Sequence, residues 1–261
     1  MAGMEVKGLH KYYGDLHVLR GIDLTVGKGE SVILLGANGC GKSTLLRCLN
    51  GLTTYQQGSV TVAGQALEKL TRRQLRQLRC SVGVVFQQFN LVQNVSVLQN
   101  VLFGAMGHQR LGLMGTWAVT ASDRLRSQAM EALDRVGLAE KAAMDCRQLS
   151  GGQQQRVAIA RTLMQDADII IADEPVASLD PRAGREIMDL LMDVASERSI
   201  TVLCTLHQLE LVEAYGDRIV GMKAGRIILD QPRKQVSFSA IQSLYAGDAR
   251  VDPRPQALLA S

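Results

Sequence analysis

Residues 36 to 43 read Gly-Ala-Asn-Gly-Cys-Gly-Lys-Ser. Gly36, Gly41, Lys42 and Ser43 fill every fixed place of the spacing G-x-x-x-x-G-K-[ST], which is a phosphate-binding loop. The glycines let the chain wrap a phosphate and turn its N–H groups inward. Ala37, Asn38, Gly39 and Cys40 then present their backbones to the anion, and Thr44 follows in the first helical turn. Lys42 is long enough to reach the β- and γ-phosphates, and the Ser43 hydroxyl suits Mg²⁺. A second reactive pair lies far along the chain. Ile169-Ile-Ile-Ala172 is an apolar run that ends in Asp173 and Glu174. Beside a phosphate loop, Asp173 is placed to hold the metal. Glu174 is placed to act on the attacking water, as general base or as the group that orients it.

Both clusters need rigid supports. Ser31–Leu35 is apolar and reads as a buried strand, and Thr44–Leu49 reads as the helix that leaves the loop. The positive end of that helix dipole adds to the anion site. Met4–Leu9 and Ile22–Val26 alternate as half-buried strands do, and Ser59–Val62 and Ser81–Phe86 are further strands. The stretch holding Arg72, Arg73, Arg76 and Arg79 reads as a helix with a solvated basic face. From Asn90 to about Arg147 the pattern turns helical, clearest at Val101–Met106 and Leu125–Val136, with a Gly- and Met-rich segment around Trp117 between them. Later come helices at 157–164, 187–194 and 209–215 and strands at 169–172 and 200–204. A hairpin at 218–222 and 226–229 follows, then a tail of mixed character from Gln231. Strands alternating with helices imply an α/β fold with a parallel core.

Composition limits the function. The chain has 261 residues and a net charge of +4, too small an excess to argue for nucleic acid. No apolar run approaches the roughly 20 residues that span a bilayer. The first thirty residues carry Glu5, Lys7, Lys11, Asp15 and Arg20 and no signal-peptide core, so a cytosolic chain is expected. The five cysteines are scattered without a Cys-x-x-Cys spacing, as in a reducing compartment. Cys40 sits beside Lys42 at a helix start, which favours a reactive thiolate; the other reading is a small inert buried residue.

Leu149-Ser-Gly-Gly-Gln153, followed by Gln154-Gln155-Arg156, resembles the signature motif of ATP-binding-cassette ATPases. The phosphate loop, the signature and the Asp-Glu strand stand in that family's order, and the resemblance runs from about Val6 to Ile228. It implies a phosphate-loop (RecA-like) core at 1–86 and 157–230, with an N-terminal antiparallel β subdomain. It also implies an inserted α-helical subdomain at 87–156 and a C-terminal extension at 231–261. ATP and Mg²⁺ are the implied cofactors. Ser150, Gly151, Gly152 and Gln153 would touch the ATP held by a second copy. Tyr13 matches the aromatic that stacks on adenine, with Tyr12 competing for that role. Gln87, rather than Gln88, matches the glutamine that links Mg²⁺ and the attacking water to a membrane partner. Ser178, Leu179 and Asp180 match a dimer-contact loop, and His207 matches the histidine on the γ-phosphate.

Closer similarity is to the phosphonate-import ATPases, a group that includes phosphite and hypophosphite importers. It rests on 85–91 with 97–101, on 153–181, and on Thr205-Leu-His-Gln208, where Leu206 stands directly before the histidine. The partners implied are a second copy, two membrane permease subunits and, indirectly, a periplasmic solute-binding protein. The place implied is the cytoplasmic face of a bacterial inner membrane. Import of polar amino acids, lipoprotein release, or a soluble ATPase of DNA repair or translation are the alternatives. Phe89, Leu91 and the helix at 101–106 are expected to wall the permease groove, or else to pack inside the helical subdomain.

Overall fold

The computed structural model describes residues 2–108 and 113–245. Strands β1 (Ala2–Tyr13) and β2 (Leu16–Gly27) pair antiparallel around Gly14, which turns the chain at φ 56°. Both run past the segments that alternation marks. Register shifts at Val6/Leu9 and Lys11/Tyr12 re-phase the pleat and let the ladder continue. Strand β3 (Ser31–Leu35) enters the phosphate loop and helix α1 (Lys42–Leu49) leaves it. Strands β4 (Gln57–Val62) and β5 (Gln65–Ala66) complete a four-stranded sheet in the order β2-β1-β4-β5.

Helix α2 (Arg72–Cys80) opens on a reciprocal cap between Thr71 and Gln74. Arg72, Arg73 and Arg76 face solvent, while Arg79 turns in to the Asn50 and Gly51 carbonyls. After β6 (Val82–Phe86) come α3 (Val97–Leu102), α4 (Leu113–Thr116), α5 (Asp123–Arg135) and α6 (Gly151–Met164). Then follow β7 (Ile169–Asp173), α7 (Pro181–Glu197), β8 (Thr201–Thr205), α8 (Leu209–Ala214), β9 (Arg218–Lys223), β10 (Arg226–Pro232) and α9 (Phe238–Tyr245).

The second sheet has the order β10-β9-β3-β8-β7-β6 and is parallel except at β10. Both of its faces are covered, which is why its strands read as unbroken apolar runs. Val32, Leu34, Ile169, Ile171 and Leu203 share a core with α1 and the antiparallel sheet. Their neighbours Ile33, Leu35, Ile170, Ala172, Val202 and Cys204 share the other core with α3, α5, α6 and α7. The α/β fold with an antiparallel sheet and a helical region is the one expected.

Two segments differ from expectation. The helix read at Val101–Met106 lies one turn earlier, at Val97–Leu102, and Phe103–Gly107 is a 3₁₀ turn. Ser96 caps the earlier start, and Gly104 lets the turn lie on α6, where a Cβ would fall 2.2 Å from the Arg161 carbonyl oxygen. The tail is also ordered further than its mixed composition suggests, because α9 buries Ile241, Leu244 and Tyr245.

Candidate functional site

The parallel strands bring the scattered residues to one edge of the sheet. Leu35 pairs with Gly221, Leu34 with Thr205, Thr205 with Asp173, and Asp173 with Phe86. The carboxyl ends of β3, β8, β7 and β6 are therefore level. Gly36, His207, Asp173–Glu174 and Gln87 all leave from that edge, where open parallel sheets bind ligands.

In the phosphate loop, Gly36 and Gly41 have φ 148° and 111°. A Cβ on Gly36 would fall 2.3 Å from the Met222 carbonyl oxygen, and one on Gly41 would fall 2.9 Å from Leu19. Glycine is required at both positions by conformation and by space. Lys42 is 5% exposed, and its ammonium donates to the Gly36 carbonyl at 2.7 Å and the Ala37 carbonyl at 3.3 Å. The loop's own carbonyls thus hold the lysine inside the cradle. Asn38 and Gly39 are exposed at its rim.

Ser43 donates to Asp173 Oδ1 at 3.3 Å, and Thr205 donates to the same oxygen at 3.0 Å. A hydroxyl and a carboxylate side by side suit a small hard cation that keeps most of its waters. Thr205 also accepts the Glu174 N–H at 2.8 Å, which helps hold Glu174 at φ 51°, in the left-handed region. Sequence reasoning gave Thr205 no role. The available signal was a hydroxyl at the end of a buried strand, level with the two carboxylates.

Glu174 Oε1 meets His207 Nε2 at 2.6 Å. That hydrogen bond is the main reason the Glu174 carboxyl lies below its ordinary pKa; partial burial acts against it, and the fields of His207 and Lys42 act with it. A lowered folded value means the contact stabilises the protein above the ordinary carboxylate range. That contribution is lost as the pH falls through the lowered value.

The signature residues form a second cluster. Ser150 caps α6 by accepting the Gln153 N–H, and the Gln153 side chain accepts the Ser150 N–H at 3.1 Å. A Cβ built on Gly151 finds Leu179 at 3.4 Å and Phe89 at 3.6 Å. The helix start thus abuts the 178–180 loop, with Ser150 exposed. Asp180 caps α7 by accepting the N–H groups of Arg182 and Ala183, a task its sequence position also announces with Pro181 behind it.

Tyr13 is 45% exposed at the β1–β2 turn, with the Lys11 ammonium 4.6 Å from its ring centre. Tyr12 instead stacks on His17, with ring centres 4.0 Å apart. This leaves Tyr13 the freer face for a base. Gln87 and Gln88 are both exposed just beyond β6. At two places the structure favours one of the two readings left open. Cys40 is buried, and burial pushes its thiol pKa up against the pull of Lys42, so the loop does not favour a thiolate. Leu91, Val101, Leu102 and Ala105 belong to the helical core, leaving Met106 as the exposed member of that set and Phe89 half-buried.

The chain is similar to known proteins over nearly its whole length. It is 43% identical over 253 residues to the phosphonates import ATP-binding protein PhnC 2 of Oceanobacillus iheyensis, covering 96% of this chain and 98% of that one. It is 48% identical to the phosphate-import ATP-binding protein PhnC of Mycolicibacterium smegmatis, covering 93% and 90%. It is 44% identical to the hypophosphite import ATP-binding protein HtxD of Stutzerimonas stutzeri, covering 97% and 74%. A solved dimeric ATP-binding cassette in a post-hydrolysis state with ADP and Pi superposes with a TM-score of 0.76 at 32% identity, covering 89% and 100%. The ABC transporter family profile matches residues 19–177, and the chain belongs to that family, as an ATP-hydrolysing cassette.

Proposed function

We propose that this chain is the ATPase subunit of a bacterial importer for a phosphorus oxyanion, in the range of solutes for which its relatives are named. The observation that carries the ATPase part is the level set of strand ends, which puts Lys42, Ser43, Asp173, Glu174 and His207 in one place. Ser43 and Asp173 would hold Mg²⁺, which when bound neutralises phosphate charge. Lys42 binds the β- and γ-phosphates, and Tyr13 stacks on adenine. Glu174 accepts the proton of the attacking water or orients it, and His207 turns from Glu174 to the γ-phosphate. Ser150, Gly151, Gly152 and Gln153 are exposed or half-buried at a helix start, where their N–H groups favour an anion. Two copies facing each other would complete each ATP with the other's signature, with Ser178, Leu179 and Asp180 at the seam. Gln87 links the site to the helical region.

Among the described residues no helix is long and apolar enough to cross a membrane. As a subunit of an importer, in keeping with the names of its relatives, the chain would act from the cytoplasmic face on two permease subunits fed by a solute-binding protein. The docking place we assign is the surface left by the expected groove wall, the exposed Met106 with the half-buried Phe89. Met106 is 44% exposed, so aspartate there leaves the core intact. In cells importing phosphonate or phosphite through this system, Met106→Asp should cut uptake and permease co-purification while ATP binding and thermal stability stay at parental values. Normal uptake by the variant would put the dock elsewhere. Uptake of polar amino acids instead of phosphorus oxyanions by the parental system would overturn the solute class.

A further inference from the structure

Charge is not spread evenly along the chain. From Lys69 to Ser122 there are 54 residues without one aspartate or glutamate. The same stretch holds Lys69, Arg72, Arg73, Arg76, Arg79 and Arg110, a formal charge of +6 where the whole chain has +4, so the other residues together carry −2. The acids that bound the stretch are engaged. Glu68 accepts the Tyr55 hydroxyl at 3.0 Å, and Asp123 pairs with Arg126 at 2.6 Å.

The fold gathers part of this stretch into one strip. Arg72, Arg73 and Arg76 face solvent from α2. Arg76 lies one turn before Cys80, and a Cβ built on Gly107 would strike Cys80 Sγ, so the end of α2 abuts the 3₁₀ turn at Phe103–Gly107. The Phe103 and Trp117 rings are 6.0 Å apart, so the end of α4 abuts the same turn. Beyond it the strip is apolar: Leu113, Met114, Trp117 and Val119 are 46–91% exposed. A cluster of exposed apolar side chains marks a surface that something covers. Met114 and Val119, the most exposed of the four, project into solvent, which suits entry into a fluid interface better than a walled groove that seats a peptide. Guanidinium groups match phosphate, and an indole beside a thioether matches the boundary below it.

We propose that this strip is a peripheral membrane surface: Arg72, Arg73 and Arg76 take the phosphates of anionic phospholipids, and Met114, Trp117 and Val119 enter the boundary between headgroups and acyl chains. The inference rests on the reading of the chain as a subunit at a membrane's cytoplasmic face for its place in the cell, and vesicles without any permease test it apart from that reading.

The full chain is sedimented with vesicles of phosphatidylglycerol and phosphatidylcholine in equal parts, and with vesicles of phosphatidylcholine alone. It should bind the first, more weakly as salt rises, and leave the second. Arg72→Gln, Arg73→Gln and Arg76→Gln together should weaken binding about 100-fold, about fivefold for each cation removed from an anionic surface. The three side chains are exposed and glutamine forms helix about as well as arginine, so the fold is kept. Met114→Ser with Val119→Ser should weaken binding about tenfold, through lost apolar burial. Both variants should bind Mg·ATP as the parent does. A parental chain that leaves both vesicles overturns the inference, and if the arginine variant then fails to co-purify with the permease, the strip belongs to that protein. Equal binding to both vesicles also overturns it, as does parental binding by either variant. None of these outcomes touches the importer reading, which the uptake experiment decides.

Discussion

Glu174→Gln should abolish ATP turnover, by about 10²- to 10⁴-fold, the range of a lost general base or water-orienting group. The substitution is nearly isosteric. The backbone N–H of residue 174 keeps its bond to Thr205, and an amide oxygen can still meet His207 where Glu174 Oε1 does at 2.6 Å. Only the anion is lost. The wild-type carboxyl is held below its ordinary pKa, chiefly by the His207 hydrogen bond, so near neutral pH it is ionised and ready to accept a hydrogen bond from water. ATP affinity should be kept, because Lys42, Ser43 and Asp173 are untouched. With binding intact and hydrolysis gone, the variant should accumulate as an ATP-bound dimer on gel filtration. Hydrolysis within a few-fold of the parent would remove Glu174 from the chemistry.

Lys42→Met should have the opposite signature, with binding lost first. The lysine is 5% exposed and tethered to the Gly36 and Ala37 carbonyls. Methionine keeps most of the length but neither the charge nor the donors. Losing charge-assisted hydrogen bonds of about 1.5–3 kcal/mol weakens ATP binding about 10- to 100-fold. The free protein should also lose stability, by about 1–3 kcal/mol, because a buried loop carbonyl is left unpaired. Calorimetric titration with Mg·ATP and a urea melt read the two effects separately. Parental ATP affinity in this variant would mean that phosphates bind elsewhere.

The fold and most of the site were legible because their signals are local. A phosphate loop must be written in one stretch, and the buried parallel strands around it must be apolar without interruption, as Ser31–Leu35 and Ile169–Ala172 are. What could not be read depends on register or on packing between distant segments. Thr205 becomes part of the site only because β7 and β8 align Asp173 with it. Cys40 has Lys42 and a helix start as sequence neighbours, which left its reactivity open; burial in the core with Leu19, Leu45 and Met222 pushes its thiol up. Val101, Leu102 and Ala105 could be read as docking face or as core and are core, because α3 lies against α5 and α6. Ile241, Leu244 and Tyr245 sit in an ordinary-looking tail and become core only because α9 lies on β9.

The central claim is that each ATP site is built from Lys42 of one copy and Ser150 of another, and mixing two inactive variants tests it most directly. Lys42→Met removes the phosphate grip, and Ser150→Arg blocks the signature. Each variant alone should be inactive, because every site in its dimer carries the defect. When the two are denatured together and refolded, mixed dimers contain one site with the intact Lys42 of one subunit and the intact Ser150 of the other. The account predicts that ATPase activity returns in the mixture, in proportion to the mixed dimers formed. A mixture as inactive as its components, with mixed dimers shown to be present, would contradict it.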